Sequence, residues 1–424
     1  MSNADSVRGT LPFHLAGAFA PVREERTDLD LDVIGEIPPD LCGTYVRNGP
    51  NPRTGRSPAW FAGEGMLHGV RLEGGRARWY RNRWIAGDFA PNTHVVRHAG
   101  RILALVETWL PVEVTAELET VGPYTFGGAL GSSMTAHPKI CPRTGELLFF
   151  SQRPSRPHLT YYRADASGRV VHRAAIDVPA VTFMHDFAIT ERYVVFYVLP
   201  VLLGDVGSPV PIRWVDDFPA RIGVFPRDGG NEDMRWFDVA PCTISHTVNA
   251  FEEGDTVVLD VVRAPRIMMP HALHRLTFDL RTGRAAEVEL DPRFLDFPRV
   301  HPAVVGARHR HVYTVELCDF GPDGGFSRTV ARQHDLETGA AVVHDFGDGV
   351  MPGECVVAAR PGSAAEDDAW VILFVHRRDG SAAELVLLDA RRFASPPVAR
   401  VRLPCHVPLG LHGEWLPDGV AALA

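Results

Sequence analysis

Residues 251–262 read FEEGDTVVLDVV, and this stretch decides the fold. Gly254 sits between a polar flank and the run Val257–Val262, which is rich in β-branched residues. Such side chains lose rotamer freedom in a helix and pack well on a pleated surface, so the stretch reads as a turn feeding a strand. The same unit recurs outward in both directions. Toward the N-terminus stand RLEGGRARWYRNRW (71–84), RHAGRILALVE (97–107), CPRTGELLFFSQ (141–152), ADASGRVVHRAAI (164–176) and ITERYVVFYVL (189–199). Toward the C-terminus stand FDLRTGRAAEVEL (278–290), ARHRHVYTVE (307–316), DLETGAAVVHDF (335–346) and HRRDGSAAELVLLD (376–389). Many short hairpins without helical crossovers predict an all-β chain, a propeller rather than a pair of sandwiches. Helical periods are nearly absent; Val112–Thr120 and Asp291–Asp296 are the two places where a turn or two of helix is expected. No internal linker stands out among 39 glycines and 34 prolines. The expected organisation is an irregular N-terminal arm over residues 1–30 and one propeller domain over 31–424.

Composition narrows the function. A net charge of −9, with no basic cluster, excludes a nucleic-acid partner, because phosphate binding needs a basic surface. The six cysteines, Cys42, Cys141, Cys242, Cys318, Cys355 and Cys405, form no CxxC pair and read as reduced thiols of a cytoplasmic protein. The N-terminal stretch lacks the basic and apolar regions of a signal peptide. The longest apolar run, Tyr193–Leu203, is interrupted by Pro200 and is too short to span a bilayer, which takes about 20 residues.

Nineteen histidines are many for 424 residues. His309 and His311 fall in a charged turn. His158, His172, His334 and His376 neighbour Arg or Asp and read as solvated surface. His271 and His274 are expected to flank a strand. Four others have a different setting: His137 in MTAHPK, His185 in FMHDFAIT, His246 in ISHTVNAF and His412 in GLHGEW. They are 48, 61 and 166 residues apart, so no local loop can bring them together. Blades converging on one axis can. Four imidazoles would suit iron, copper, zinc or nickel, and ligand type alone does not choose among them.

Those segments, with YVRNGPNP (45–52), GEGMLHGVRL (63–72), YRNRW (80–84), HTVNAFEEGDTVVLD (246–260) and PGECVVAARPGSAAEDDAWV (352–371), resemble the carotenoid cleavage oxygenase family. The resemblance runs from about residue 30 to residue 417, with the motifs in family order. It implies a seven-bladed β-propeller with a cap of loops and short helices over the metal face. It implies Fe(II) held by His137, His185, His246 and His412, and carboxylates accepting the outer N–H of three of them. Glu107 in ALVET and Glu354 in PGEC match two of those carboxylates. Asp296 in LDFPRV stands where the family has glutamate, and its shorter side chain predicts a looser, water-bridged or backbone-compensated hydrogen bond. Thr93 in PNTHVV matches a threonine whose methyl faces a vacant coordination position in several members. His68 and His406 match no ligand of the family.

The resemblance further implies that O2 splits a conjugated double bond into two carbonyls, with no organic cofactor and no acid–base dyad. Its lignostilbene branch grips a phenol with a Tyr and a Lys at positions that here read Trp84 and Val106. Apolar side chains there favour an apocarotenoid or a similar lipophilic polyene. A shorter aryl alkene is the alternative substrate. The family's isomerase branch and a non-catalytic binding propeller are weaker alternatives. Val198–Val210 is expected to form a lid or an apolar tunnel mouth, with peripheral contact to a membrane. No obligate protein partner is implied.

Overall fold

At Gly254 (φ +60°) the chain reverses, and Thr243–Glu253 pairs antiparallel with Thr256–Ala264. Ala272–Asp279 and Ala285–Asp291 add on to complete a four-stranded blade. The computed structural model describes residues 11–87, 90–107, 109–204, 212–321, 325–363 and 365–419. In it the same unit occurs seven times. In chain order, blades 1 to 7 span residues 43–84, 94–123, 139–176, 188–238, 243–291, 295–344 and 350–402. The C-terminal strand Gly413–Pro417 closes the ring by pairing with Gly43–Pro50, Gly43 facing Pro417 and Arg47 facing Gly413. This chain-end clasp makes it the innermost strand of blade 1.

The apolar core lies between blades. Phe150, Phe187, Phe196, Phe225 and Phe278, from blades 3, 4 and 5, are all buried in one layer. Their rings meet edge-on, with Phe150–Phe187 and Phe187–Phe196 centroids 5.5 and 5.7 Å apart. Each such ring contributes on the order of 2–3 kcal/mol by leaving water. With apolar side chains used between blades, the axis is left to the polar ones, and this sets up the site.

Among the described residues the helices are all short 3-10 turns, in keeping with the expected loop and short-helix cap. Three other expectations are corrected. Val112–Val114 and Thr120–Pro123 are strands, and Asp291 ends one strand while Leu295–Arg299 forms another. Sheet pairing overrides a weak local helical tendency in both places. Arg26–Leu29, placed in the arm, is a strand on the outer edge of blade 1, paired with Trp79–Asn82. Of the expected lid, Val198 ends a core strand of blade 4, and Val201–Leu203 pairs with Ile212–Trp214. Residues 205–211 lie outside the described residues. Among the described residues no helix is long and apolar enough to cross a membrane.

Candidate metal centre

Each blade delivers one residue toward the axis from its inner one or two strands. His412 directly precedes the inner strand of blade 1, His137 precedes Lys139–Ile140 of blade 3, and His185 precedes Ala188–Ile189 of blade 4. His246 lies on the inner strand of blade 5. The other three blades deliver carboxylates: Glu107 after Arg101–Leu105, Asp296 within Leu295–Arg299, and Glu354 between Val350–Pro352 and Val356–Ala359. The four histidines therefore do converge, although 275 residues of chain separate the first from the last. One ligand atom of each lies within 4.8 Å of the others.

The carboxylates orient the rings. His246 Nδ1 donates to Asp296 Oδ1 at 2.5 Å, His412 Nδ1 donates to Glu354 Oε1 at 3.0 Å, and His185 Nδ1 pairs with Glu107. An imidazole whose Nδ1–H is committed outward presents a lone pair at Nε2. Those Nε2 atoms meet at 3.1 Å (His137–His185), 3.2 Å (His185–His246) and 3.1 Å (His246–His412). One proton on His185 can bridge two neighbours but cannot serve all three contacts. A cation at the centre can.

Titration points the same way. Burial and the neighbouring imidazoles hold His137 well below the usual histidine range. Burial brings His412 down to about 3 despite Glu354. Burial opposes ionisation of Glu107, Asp296 and Glu354, but the facing imidazoles keep all three below the usual carboxylate range, and Arg299 is the largest such influence on Glu354. Burial opposes a charge on His185 too, but the Glu107 carboxylate beside it raises its pKa overall, and the site holds three largely buried carboxylates against one guanidinium. That excess of buried negative charge fits a divalent metal ion.

Asp296 needs neither water nor looseness. The strand register shifts between Asp296 and Arg299, and Phe297 adopts φ +52°. Asp296 Oδ1 also accepts from Phe297 N at 2.9 Å and from Ser245 Oγ at 3.2 Å. Thr93 is buried; its hydroxyl donates to Asn92 Oδ1, and its carbonyl accepts from His412 N at 3.1 Å. Val106 is half-buried beside Glu107. Trp84 departs from the apolar reading: its indole N–H donates to Asn51 O, and the Arg53 guanidinium lies 4.4 Å over its ring. His68 donates to or accepts from Tyr80 OH in the core, and His406 bonds Ala20 O, so both stand apart from the set.

Several neighbours escaped the sequence reading. Phe183 stacks on His185 at 5.6 Å, and Phe297 lies 5.7 Å from His246 and 5.3 Å from His412. Beyond Phe297, Trp60 and Phe326 continue an apolar wall to Phe19 of the N-terminal segment. Phe297, adjacent to Asp296 in LDFPRV, carried a readable signal; Phe183 and Trp60 carried none. His309, His334 and His376, read as turn or surface residues, are buried. His376 extends the buried run Val371–Val375, and that run was the available signal.

The model of the RPE65 family, retinal pigment epithelial membrane protein, matches residues 19–90 and 88–417. A carotenoid cleavage oxygenase of Mycobacterium tuberculosis is 36% identical over 98% of this chain and its own full length. A carotenoid 9,10(9',10')-cleavage dioxygenase 1 of Phaseolus vulgaris is 32% identical over 96% of this chain and 90% of its own. The crystal structure of Pseudomonas brassicacearum lignostilbene dioxygenase superposes with TM-score 0.87 at 29% identity, covering 97% of this chain and 100% of that one. Cobalt-substituted Synechocystis ACO, an apocarotenoid oxygenase, superposes with TM-score 0.83 at 26% identity, covering 94% and 97%. The seven blades, the four converging imidazoles and these likenesses establish that the chain belongs to the RPE65 family of carotenoid cleavage oxygenases and is an oxidoreductase of the alkene-cleaving dioxygenase kind.

Proposed function

We propose that His137, His185, His246 and His412 hold Fe(II), and that the chain cleaves one conjugated double bond of an apocarotenoid or similar lipophilic polyene with O2, giving two carbonyl products. The observation that carries this reading is the aromatic wall on one side of the imidazoles. Phe183 and Phe297 flank the ligands, with Trp60 and Phe326 behind Phe297. A flat, apolar chain gains contact area there, whereas a buried phenol would need a polar partner. Bound iron supplies the site at which O2 is activated.

The protein's own groups then divide the work. Glu107, Asp296 and Glu354 hold the imidazole N–H groups and so aim the ring nitrogens. Phe183 and Phe297 exclude water and restrain the polyene beside the metal. The Thr93 hydroxyl is committed to Asn92, which leaves its methyl as the apolar end of that side chain. The reading includes a cytoplasmic enzyme that touches membranes peripherally. Exposed Phe61, next in the chain to Trp60, and exposed Phe320, whose ring lies 6.4 Å from Phe326, support that contact.

Incubating the Fe(II)-loaded protein in air with apocarotenals and 4-hydroxystilbenes, followed by chromatography and mass spectrometry, tests the proposal. Shortened apocarotenoid aldehydes, absent with His185→Ala, are expected. Aromatic aldehydes from stilbenes with the apocarotenals untouched would overturn the polyene reading in favour of an aryl alkene.

A further inference from the structure

Beneath the imidazoles, on the side away from the aromatic wall, a cavity of about 520 Å³ runs along the propeller axis. All seven blades line it. His137, His246 and His412 form its inner end, and exposed Pro302 and Ala303 stand at its mouth. Between them it is lined by His94, Lys139, Asp186, Asn249, Arg299 and Glu414, none of which the proposed reaction uses. His137, His246 and His412 themselves are buried, and His185 is partly exposed.

The charges in this shaft are arranged. Lys139 Nζ pairs with Asp186 Oδ1 at 2.7 Å and cancels it. Arg299 is shared between Glu354 at 3.0 Å and Glu414 at 3.4 Å, so two carboxylates face one guanidinium. Glu414 also faces His94 Nε2 at 3.6 Å. With Arg97 also in the lining, three cations face three carboxylates and the shaft is neutral overall, its carboxylates gathered at the Arg299 end, and it presents oxygen and nitrogen donors along its length. A divalent ion arrives hydrated, and an apolar route would strip its water without replacement. The oxygen and nitrogen donors of Glu414, His94 and Asn249 along this route can replace that water step by step.

We infer that the axial shaft is the path by which the metal ion enters and leaves the four-histidine site, with Glu414 and His94 as its transit ligands. The inference rests on the reading that the four histidines bind a divalent metal. It requires no change in the bound geometry, only passage beside the Arg299–Glu414 pair.

Co(II) uptake by the metal-free protein, followed by visible absorption, and its removal by a chelator test the path. Glu414→Gln removes one carboxylate from beside Arg299 and keeps the side chain's shape. It is expected to slow uptake on the order of ten-fold at low ionic strength, with the difference shrinking in salt. Ala303→Trp covers the mouth from an exposed position. It is expected to slow uptake and chelator removal alike, while leaving one Co(II) per chain at equilibrium and normal turnover once iron-saturated. Uptake and removal rates equal to those of the parent in both variants would overturn the inference. So would rates in all three proteins that rise together in sub-denaturing urea, because the ion would then enter by opening between blades. Failure of the parent protein to take up any Co(II) would instead overturn the metal reading itself.

Discussion

At the scale of the residue, Asp296 and Phe297 act as one device. Asp296 reaches His246 at 2.5 Å although it is a methylene shorter than glutamate. Asp296→Asn keeps the size but removes the anion that the His246 N–H donates to. Metal affinity, measured by chelator competition, is expected to fall about 10- to 100-fold with the fold intact by circular dichroism; unchanged affinity would show that the carboxylate does not hold the ring. Phe297 takes a left-handed φ of +52°, which costs a non-glycine residue about 1–2 kcal/mol. Removing the ring by Phe297→Ala leaves that strain, whereas Phe297→Gly removes both. The glycine variant is therefore expected to be the more stable of the two by about 1 kcal/mol in urea, the reverse of the usual order. If alanine proves more stable, the backbone there is not strained. The convergence of the four histidines and the two glutamates was legible because each lies in a short motif. The strength of the Asp296 bond was not, because it depends on a bulge and a positive φ that no single residue type announces.

At the scale of the element, the hairpins were legible and their closure was not. Turn chemistry at Gly254 or Gly283 is local, so the sequence carries it directly. The pairing of Gly43–Pro50 with Gly413–Pro417 joins opposite ends of the chain, and neither strand contains a signal for the other. Buried His334 and His376 were misread for a related reason. Their charged sequence neighbours face away, so local composition described the wrong side of the strand. Gly410 shows how tightly the closure is packed. A Cβ there would fall within the buried Arg47 guanidinium, whose Nη1 donates to Pro408 O. Gly410→Ala is expected to cost about 1–3 kcal/mol by thermal unfolding and to speed metal loss, since His412 is two residues away. Gly131, where an added Cβ meets nothing within 4 Å, is the control and is expected to tolerate alanine. Equal melting temperatures for the two variants would show that Arg47 can move aside.

At the scale of the whole molecule, a propeller that uses its axis for histidines and also buries others between blades must respond to acid. Burial, then the Arg47 charge, lowers His376 to about 3, and burial lowers His334 to about 4. His68 is likewise held well below the usual range by burial and Arg47. An unfolded imidazole titrates near 6.5, so between that value and the folded one the unfolded chain binds a proton that the native chain refuses. Stability is then complete above about pH 6.5 and falls as pH drops, by about 1.4 kcal/mol per pH unit for each such group. The low carboxyls of Asp296 and Glu354 act in the same direction, but only below the unfolded carboxylate range near pH 4. The window from pH 6.5 to 5 therefore isolates the histidines. In urea unfolding of the metal-free protein across that window, His376→Gln is expected to reduce the slope of stability against pH by about 1.4 kcal/mol per unit. The variant would be less stable than its parent at pH 7.5 through lost packing, and the gap would close toward pH 5. A parallel pair of lines would mean that His376 protonates without cost in the native state, and that the acid response resides in the other buried imidazoles.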